Sequence, residues 1–193
     1  MSVSCFEESF QRVRNLGRQV VLPYLTAGYP DANISAELIR RTAQAGAAAI
    51  EIGFPFSDSI ADGPVIQSSF DAVLARGQRL EDVFELVRSV RADVSCPLAA
   101  MVSCSIVERA GAEPFMQRAR AAGFDGVIIP DVPVEEADPL RAAAGAHGLA
   151  WIGLVAPTTT PDRRNRIASS STGFVYQIAV AGLTGERDVL PAG

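Results

Sequence analysis

The chain has 193 residues, a net charge of −5 and a pI near 4.9. Domains are mostly about 100–200 residues long, so a single domain with a sizeable core is expected. Hydrophobic residues make up 48% of the chain and charged residues 20%, which is typical of an α/β protein with a buried sheet. No basic stripe and no apolar run near the ~18 residues of a membrane span is present. Neither nucleic acid nor a membrane is therefore an expected partner.

The three cysteines are Cys5, Cys96 and Cys104. Their number is odd and their spacing matches neither a metal site nor a disulfide framework, so no metal is expected. Such cysteines are typical of a reducing compartment, where thiols act as small hydrophobic groups. The N-terminus also lacks a basic region followed by an apolar one, so we expect a cytoplasmic protein.

The predicted elements begin with an amphipathic helix that places Phe6, Phe10 and Val13 on one face. One unit then recurs, most clearly in Arg41–Pro55 and Arg118–Pro133: an Ala-rich helix, a Gly at its end and a short β-branched strand. Six strands are predicted, near Val20–Leu25, within Arg41–Pro55, near Leu98–Val102, and within Arg118–Pro133, Ala144–Pro157 and a segment ending at Gly182.

Five further helices are predicted between these strands, at Ile34–Ala45, Leu80–Val90, Pro114–Ala122, Glu135–Ala146 and Pro161–Ala168. The last of them is expected to start with the Thr160 hydroxyl as its N-cap and Pro161 at the first helical position.

Strands that alternate with helices predict a parallel sheet with helices outside it. An open doubly wound sheet and a (βα)8 barrel both fit, but no Gly-rich phosphate motif follows the first strand. We therefore favour a single (βα)8 TIM-barrel domain over residues 1–193. Because such barrels typically need ~250 residues, only about strands one to six are expected here, without the last two βα units.

The run Glu51–Gln67, EIGFPFSDSIADGPVIQ, carries two acids close together in sequence. Glu51 alternates with the β-branched residues of a strand, where a carboxylate is costly unless it does chemistry. Strand alternation places it on the face of Ala49 and Gly53, opposite two isoleucines that would pack on helices. Asp62 follows on the loop; from the residues alone it is as readily a turn residue as a catalytic one.

Four motifs in this order resemble the tryptophan synthase α subunit family: LPYLTAGYPD (Leu22–Asp31), the Glu51–Gln67 run, GFDGVIIPDVPVEE (Gly123–Glu136) and GLTG (Gly182–Gly185). The resemblance covers essentially the whole chain. It implies a (βα)8 barrel that cleaves indole-3-glycerol phosphate to indole and glyceraldehyde 3-phosphate in tryptophan biosynthesis. It also implies an α2β2 assembly with a β subunit that holds pyridoxal phosphate, with no cofactor in this chain.

The resemblance also implies a role for each matching residue. Glu51 matches the general acid–base, and Asp62 matches the residue that stabilises the charged ring nitrogen. The other matches are Tyr24 and Tyr176 in the substrate pocket, Asp131 near the site, Gly182, Thr184 and Gly185 in a loop that closes over the substrate, and Pro55 and Asp58 on a loop facing the β subunit.

The segment MVSCSI (Met101–Ile106) departs from the family pattern, which is close to MTYYNP and helps to shape the indole pocket and the β contact. This departure would be the reason for one alternative, a stand-alone lyase that releases free indole. A second alternative is a non-catalytic protein that docks on the β subunit through the Pro55–Gln67 loop and modulates it, since the family's phosphate-binding loops after strands seven and eight are not expected here.

Overall fold

The computed structural model describes residues 4–60 and 62–179, and short parallel strands alternate with helices along this part of the chain. The strands are β1 Tyr24–Thr26, β2 Ile50–Gly53, β3 Leu98–Met101, β4 Gly126–Ile128, β5 Ala150–Trp151, β6 Gly153–Val155 and β7 Val175–Gln177. The helices are α1 Cys5–Asn15, α2 Ala32–Gln44, α3 Pro64–Leu74, α4 Leu80–Val90, α5 Cys104–Ala110, α6 Ala112–Ala122, α7 Asp138–Ala146 and α8 Pro161–Ser170.

The strands pair in parallel in the order β1-β2-β3-β4-β5, and β6 pairs with β7. Only Ile152 separates β5 from β6, and its N–H donates to the Val127 carbonyl at 3.1 Å. One extended segment therefore pairs with β4 through its first half and with β7 through its second. The prediction of six parallel strands is confirmed, with β5 and β6 counted as one.

The five helices predicted between the strands are present with small shifts, and the amphipathic N-terminal helix is α1. Two helices, α3 and α5, were not predicted. The first strand is shorter than expected because Val20–Pro23 lies outside it. The expected cap of α8 was wrong in part: Thr160 holds the N-cap position and Pro161 follows it, but the hydroxyl makes no capping hydrogen bond.

Two apolar clusters flank the sheet, as alternation along the strands requires. Ile50 and Ile52 are fully buried in the outer cluster, with the inward faces of α2, α4 and α6. Ala49 lies in the inner cluster with Phe6, Ala99, Ile128 and Ile152. The prediction that the two isoleucines pack on helices, opposite the face of Ala49, is therefore confirmed.

Helix α1 packs against the inner cluster through aromatic contacts. The Phe6 ring centroid lies 5.6 Å from that of Phe174, and the Phe10 centroid lies 5.3 Å from it. Among the cysteines, Cys96 is buried in the outer cluster as expected, but Cys5 is exposed and does not act as a core residue. No helix of the described ranges is long and apolar enough to cross a membrane.

Candidate active site

Glu51 is a buried acid in the middle of strand β2. Its side chain is 3% exposed, and its Oε1 atom has no hydrogen-bond partner among residues 4–60 and 62–179. Burial raises the pKa of this carboxyl from 4.5 to about 7. A buried carboxyl without a partner is costly, because native proteins pair almost all such groups. The arrangement is instead typical of an acid that must both give and take a proton near neutral pH.

The register of the strands gives Glu51 its neighbours in the sheet. In register, Glu51 lies between Tyr24 of β1 and Ala99 of β3, and Gly126 of β4 follows Ala99. Small residues thus flank Glu51 on one side and an aromatic residue on the other. The room for a ligand on this face stays a prediction.

Tyr24 lies within the electrostatic reach of both acids of the Glu51–Gln67 run. Its hydroxyl pKa is raised, chiefly by burial and then by the nearby charges of Asp62 and Glu51. Asp62 itself is half-buried, and this burial raises the pKa of its carboxyl. The structure therefore brings three of the predicted residues together, with Tyr24 near both carboxyls.

A cavity of about 130 Å³ opens beside these residues. Three predicted residues, Tyr24, Asp62 and Asp131, contribute to its lining, although Glu51 does not. The rest of the lining is mainly apolar: Phe54, Phe56, Phe70, Met101, Val102, Ser103 and Pro130. The combination of aromatic walls with one half-buried carboxylate suits a flat aromatic ligand that carries an N–H group.

Asp131 follows β4, and helix α5 engages its carboxylate. Its Oδ1 and Oδ2 atoms accept from the Cys104 N–H at 2.9 and 3.1 Å, and Oδ2 also accepts from the Ser103 hydroxyl at 2.8 Å. These contacts give the free N–H group in the first turn of α5 a hydrogen-bond acceptor, as a capping carboxylate does. Asp131 thus lies at the edge of the cavity, and its hydrogen bonds are those of a cap.

Tyr176 lies on β7 and faces the inner cluster, half-buried. Burial raises the pKa of its hydroxyl, and the charge of Glu51 raises it further. Tyr176 is not part of the 130 Å³ cavity, but it lies within the electrostatic reach of Glu51 from another strand. The expectations for Gly182, Thr184 and Gly185 fall outside the described residues.

The loop after β2 carries the two residues predicted to face a partner. Pro55 is half-buried and lines a second cavity, of about 340 Å³, together with residues of α4, α5 and α6. Asp58 is exposed on the same loop. Ile60, which was not singled out from the sequence, has 84% of its surface exposed. Val65, at the start of the following helix, is also exposed, by 75%.

Sequence reasoning missed most of the apolar lining of the 130 Å³ cavity. Phe70 contributes from α3, where its ring centroid lies 5.5 Å from that of Phe56. The signal for α3 was present in the sequence, because Pro64 directly after Gly63 is a common helix start. Ser103 lies in the Met101–Ile106 segment, but its hydrogen bond to Asp131 could not be predicted because the two residues are distant in sequence.

These features are those of a parallel α/β enzyme class in which polar side chains gather at the carboxyl ends of the strands. The family model described as tryptophan synthase alpha chain matches residues 10–192. The tryptophan synthase alpha chain of Carboxydothermus hydrogenoformans is 43% identical over 183 residues, which cover 95% of this chain and 68% of that protein. The tryptophan synthase alpha chain of Synechocystis sp. is 43% identical over 178 residues, which cover 92% of this chain and 67% of that protein.

Solved structures agree with this match. The structure of Mycobacterium tuberculosis tryptophan synthase superposes with a TM-score of 0.90 at 34% identity, covering 97% of this chain and 72% of that one. The tryptophan synthase alpha chain of Legionella pneumophila gives a TM-score of 0.85 at 32% identity, covering 92% and 67%. The chain belongs to the tryptophan synthase alpha chain family, and the predicted barrel fold is confirmed.

Proposed function

We propose that this protein cleaves indole-3-glycerol phosphate to indole and glyceraldehyde 3-phosphate, as the α subunit of tryptophan synthase. Membership in the family supports a lyase role in tryptophan biosynthesis. The observation that carries the reaction is the buried Glu51 carboxyl, whose Oε1 atom lacks a partner among the described residues and whose pKa is about 7. Near neutral pH such a group is present in both protonation states, so one residue can act as acid and as base.

Glu51 first acts as the acid in this proposal. Its neutral carboxyl donates a proton to the indole ring carbon that bears the glycerol side chain, and the ring becomes an electron-deficient indolenine. The resulting Glu51 carboxylate then takes the proton of the adjacent side-chain hydroxyl. The bond between the ring carbon and the hydroxyl-bearing carbon breaks as the aldehyde forms. The electron pair of this bond returns to the ring and restores the indole. Glu51 ends neutral, so the proton balance closes within one turnover.

Asp62 has the complementary role of accepting a hydrogen bond from the indole N–H while the ring carries positive charge. A carboxylate aimed at developing charge stabilises the transition state more than the ground state. The aromatic side chains Tyr24, Phe56 and Phe70 of the 130 Å³ cavity give the ring its walls. Tyr176 approaches from β7 on the Glu51 side and is proposed as a further substrate contact.

The loop after β2 is proposed to contact a tryptophan synthase β subunit in an α2β2 assembly. Pro55 and Asp58 match the family's partner-facing positions, and the highly exposed Ile60 adds an apolar contact on the same loop. Pyridoxal phosphate belongs to that β subunit in this proposal, and no cofactor is assigned to this chain. We also propose one barrel domain over residues 1–193, which is supported by the continuous segment that β5 and β6 share. A cytoplasmic location is proposed as well.

Indole formation from indole-3-glycerol phosphate tests this function. The full-length protein is assayed alone and with a tryptophan synthase β subunit supplied with its amino-acid co-substrate, and indole and tryptophan are measured by chromatography. Tryptophan formation that depends on added indole-3-glycerol phosphate is expected in the mixture. A protein that binds the β subunit but forms no indole under either condition would instead be a modulator. Equal indole release with and without the β subunit, and no complex by gel filtration, would indicate a stand-alone lyase.

A further inference from the structure

We propose that Gln67 is a positioning residue that holds Asp62 in its catalytic place, an inference that rests on the proposed function of Asp62. Gln67 lies in the first turns of α3, five residues after Asp62, and is half-buried. Its side chain points back towards the loop that precedes the helix.

Both amide protons of Gln67 are used on this loop. Nε2 donates to the Asp62 carbonyl at 2.9 Å and to the Ser59 carbonyl at 3.0 Å. The Asp62 N–H donates to the same Ser59 carbonyl at 3.0 Å. The Gln67 amide thus bridges the backbone carbonyls of Ser59 and Asp62. An amide NH2 is well suited to this, because it presents two donors in a fixed plane.

The Asp62 carboxylate depends on this backbone support. Among residues 4–60 and 62–179, neither of its oxygens is hydrogen-bonded to protein. Its place is therefore set through the hydrogen bonds of the Asp62 carbonyl and N–H, and not by a partner side chain. Because neither carboxylate oxygen is hydrogen-bonded within these residues, both can accept a hydrogen bond from a ligand N–H group.

Helix α3 is in turn fixed to the body of the protein. Ser69 and Thr26 of β1 are buried and joined by a hydrogen bond of 2.8 Å, and Phe70 is packed on Phe56. The helix has no side-chain cap at Gly63. Phe56 lies on the loop that carries the acid, so the Phe56–Phe70 contact also joins this loop to α3. Gln67 adds hydrogen bonds from the fixed helix to the part of the loop next to Asp62. A displacement of about 1 Å in a catalytic group can reduce the rate by ~10²-fold.

Gln67→Leu removes both donors at nearly the same size, and Gln67→Glu also adds a negative charge. Gln78→Leu is the matched control, because Gln78 is another half-buried glutamine whose Nε2 donates to a backbone carbonyl, that of Ala27 at 3.0 Å. We expect kcat for indole formation to fall by between about tenfold and a hundredfold in Gln67→Leu, with KM changed less than threefold. Gln78→Leu is expected to keep kcat within about twofold of the wild type.

The pH profile separates positioning from a general structural effect. Gln67→Glu is expected to move the acid limb of the kcat profile to higher pH, since a second carboxylate beside Asp62 disfavours its charged form. An unmoved acid limb would overturn the proposal. So would a kcat of Gln67→Leu within twofold of the wild type, or an equal loss in Gln78→Leu.

A measurement that does not use the reaction keeps this inference apart from the proposed function. Amide hydrogen exchange of the Asp62 N–H is followed by NMR without ligand. At least tenfold faster exchange is expected in Gln67→Leu and no change in Gln78→Leu. If the wild type forms no indole, the proposed function fails while this test still stands. If the exchange rate is unchanged in Gln67→Leu, the positioning role fails even where activity is present.

Discussion

The ring of Tyr24 occupies the space that any side chain at position 53 would need. A Cβ built on Gly53 would lie 2.6 Å from the Tyr24 Cε2 atom and closer still to the phenol oxygen. Gly53 ends β2, two residues after Glu51 on the same face of the strand. The missing side chain therefore allows an aromatic ring to lie across the strand end, beside the acid.

Gly53→Ala should displace Tyr24 and disturb the site. Because an added methyl in a packed site costs about 1–3 kcal/mol, we expect a lower free energy of unfolding and a loss of kcat/KM. Denaturant unfolding and steady-state kinetics measure the two effects. The control is Gly145→Ala in α7, where an added Cβ meets nothing within 4 Å. That variant should be stabilised by about 0.4–1 kcal/mol at unchanged activity. If Gly53→Ala kept the wild-type free energy of unfolding and kcat/KM, the close packing of Tyr24 on Gly53 in the site would be contradicted.

The raised pKa of Glu51 predicts a pH-dependent stability. Its carboxyl holds a proton in the folded state up to about pH 7 but releases it near 4.5 when unfolded. Stability from this group is thus complete below pH 4.5 and falls as the pH rises to about 7. Glu51→Gln removes that loss, which is on the order of 3 kcal/mol. The variant should exceed the wild type in unfolding free energy at pH 8 by more than at pH 5. A difference that is constant with pH would contradict this.

Asp131→Asn should act on stability more than on catalysis. The substitution weakens the bonds that the carboxylate accepts from Ser103 and from the Cys104 N–H, and loss of a helix cap typically costs about 0.5–2 kcal/mol. We expect a lower melting temperature and a kcat reduced less than tenfold. Asp71→Asn, at an exposed position of α3, is the control and should change neither. A loss of more than a hundredfold in kcat at unchanged stability would make Asp131 a catalytic residue.

The parallel barrel could be predicted because its signals are local. Alternation around Ile50, Glu51 and Ile52 placed the acid on the inner face, and Gly residues after the helices marked where strands begin. Helix α5 could not be predicted in this way. It has seven residues, and Asp131, distant in sequence, caps its first turn.

The sequence draws attention to the two acids of the candidate site but not to the residues that support them. Glu51 is conspicuous as a carboxylate in a strand, whereas the role of Asp62 on the next loop is implied by the family resemblance. Gln67 gives no such signal: an amide in a polar run acquires a role only once α3 folds and points it back at the Asp62 carbonyl. The contact of Tyr24 with Gly53 likewise depends on the register of β1 against β2.

The kcat of Glu51→Gln tests the central claim most directly. The amide keeps the size of the side chain but cannot transfer the proton. Both kcat and the rate constant for indole formation in a single turnover should therefore fall by at least a hundredfold. Glu85→Gln, at an exposed position of α4, serves as the control and should keep the wild-type rate. A folded Glu51→Gln protein that retains more than about a tenth of the wild-type rate would contradict the account.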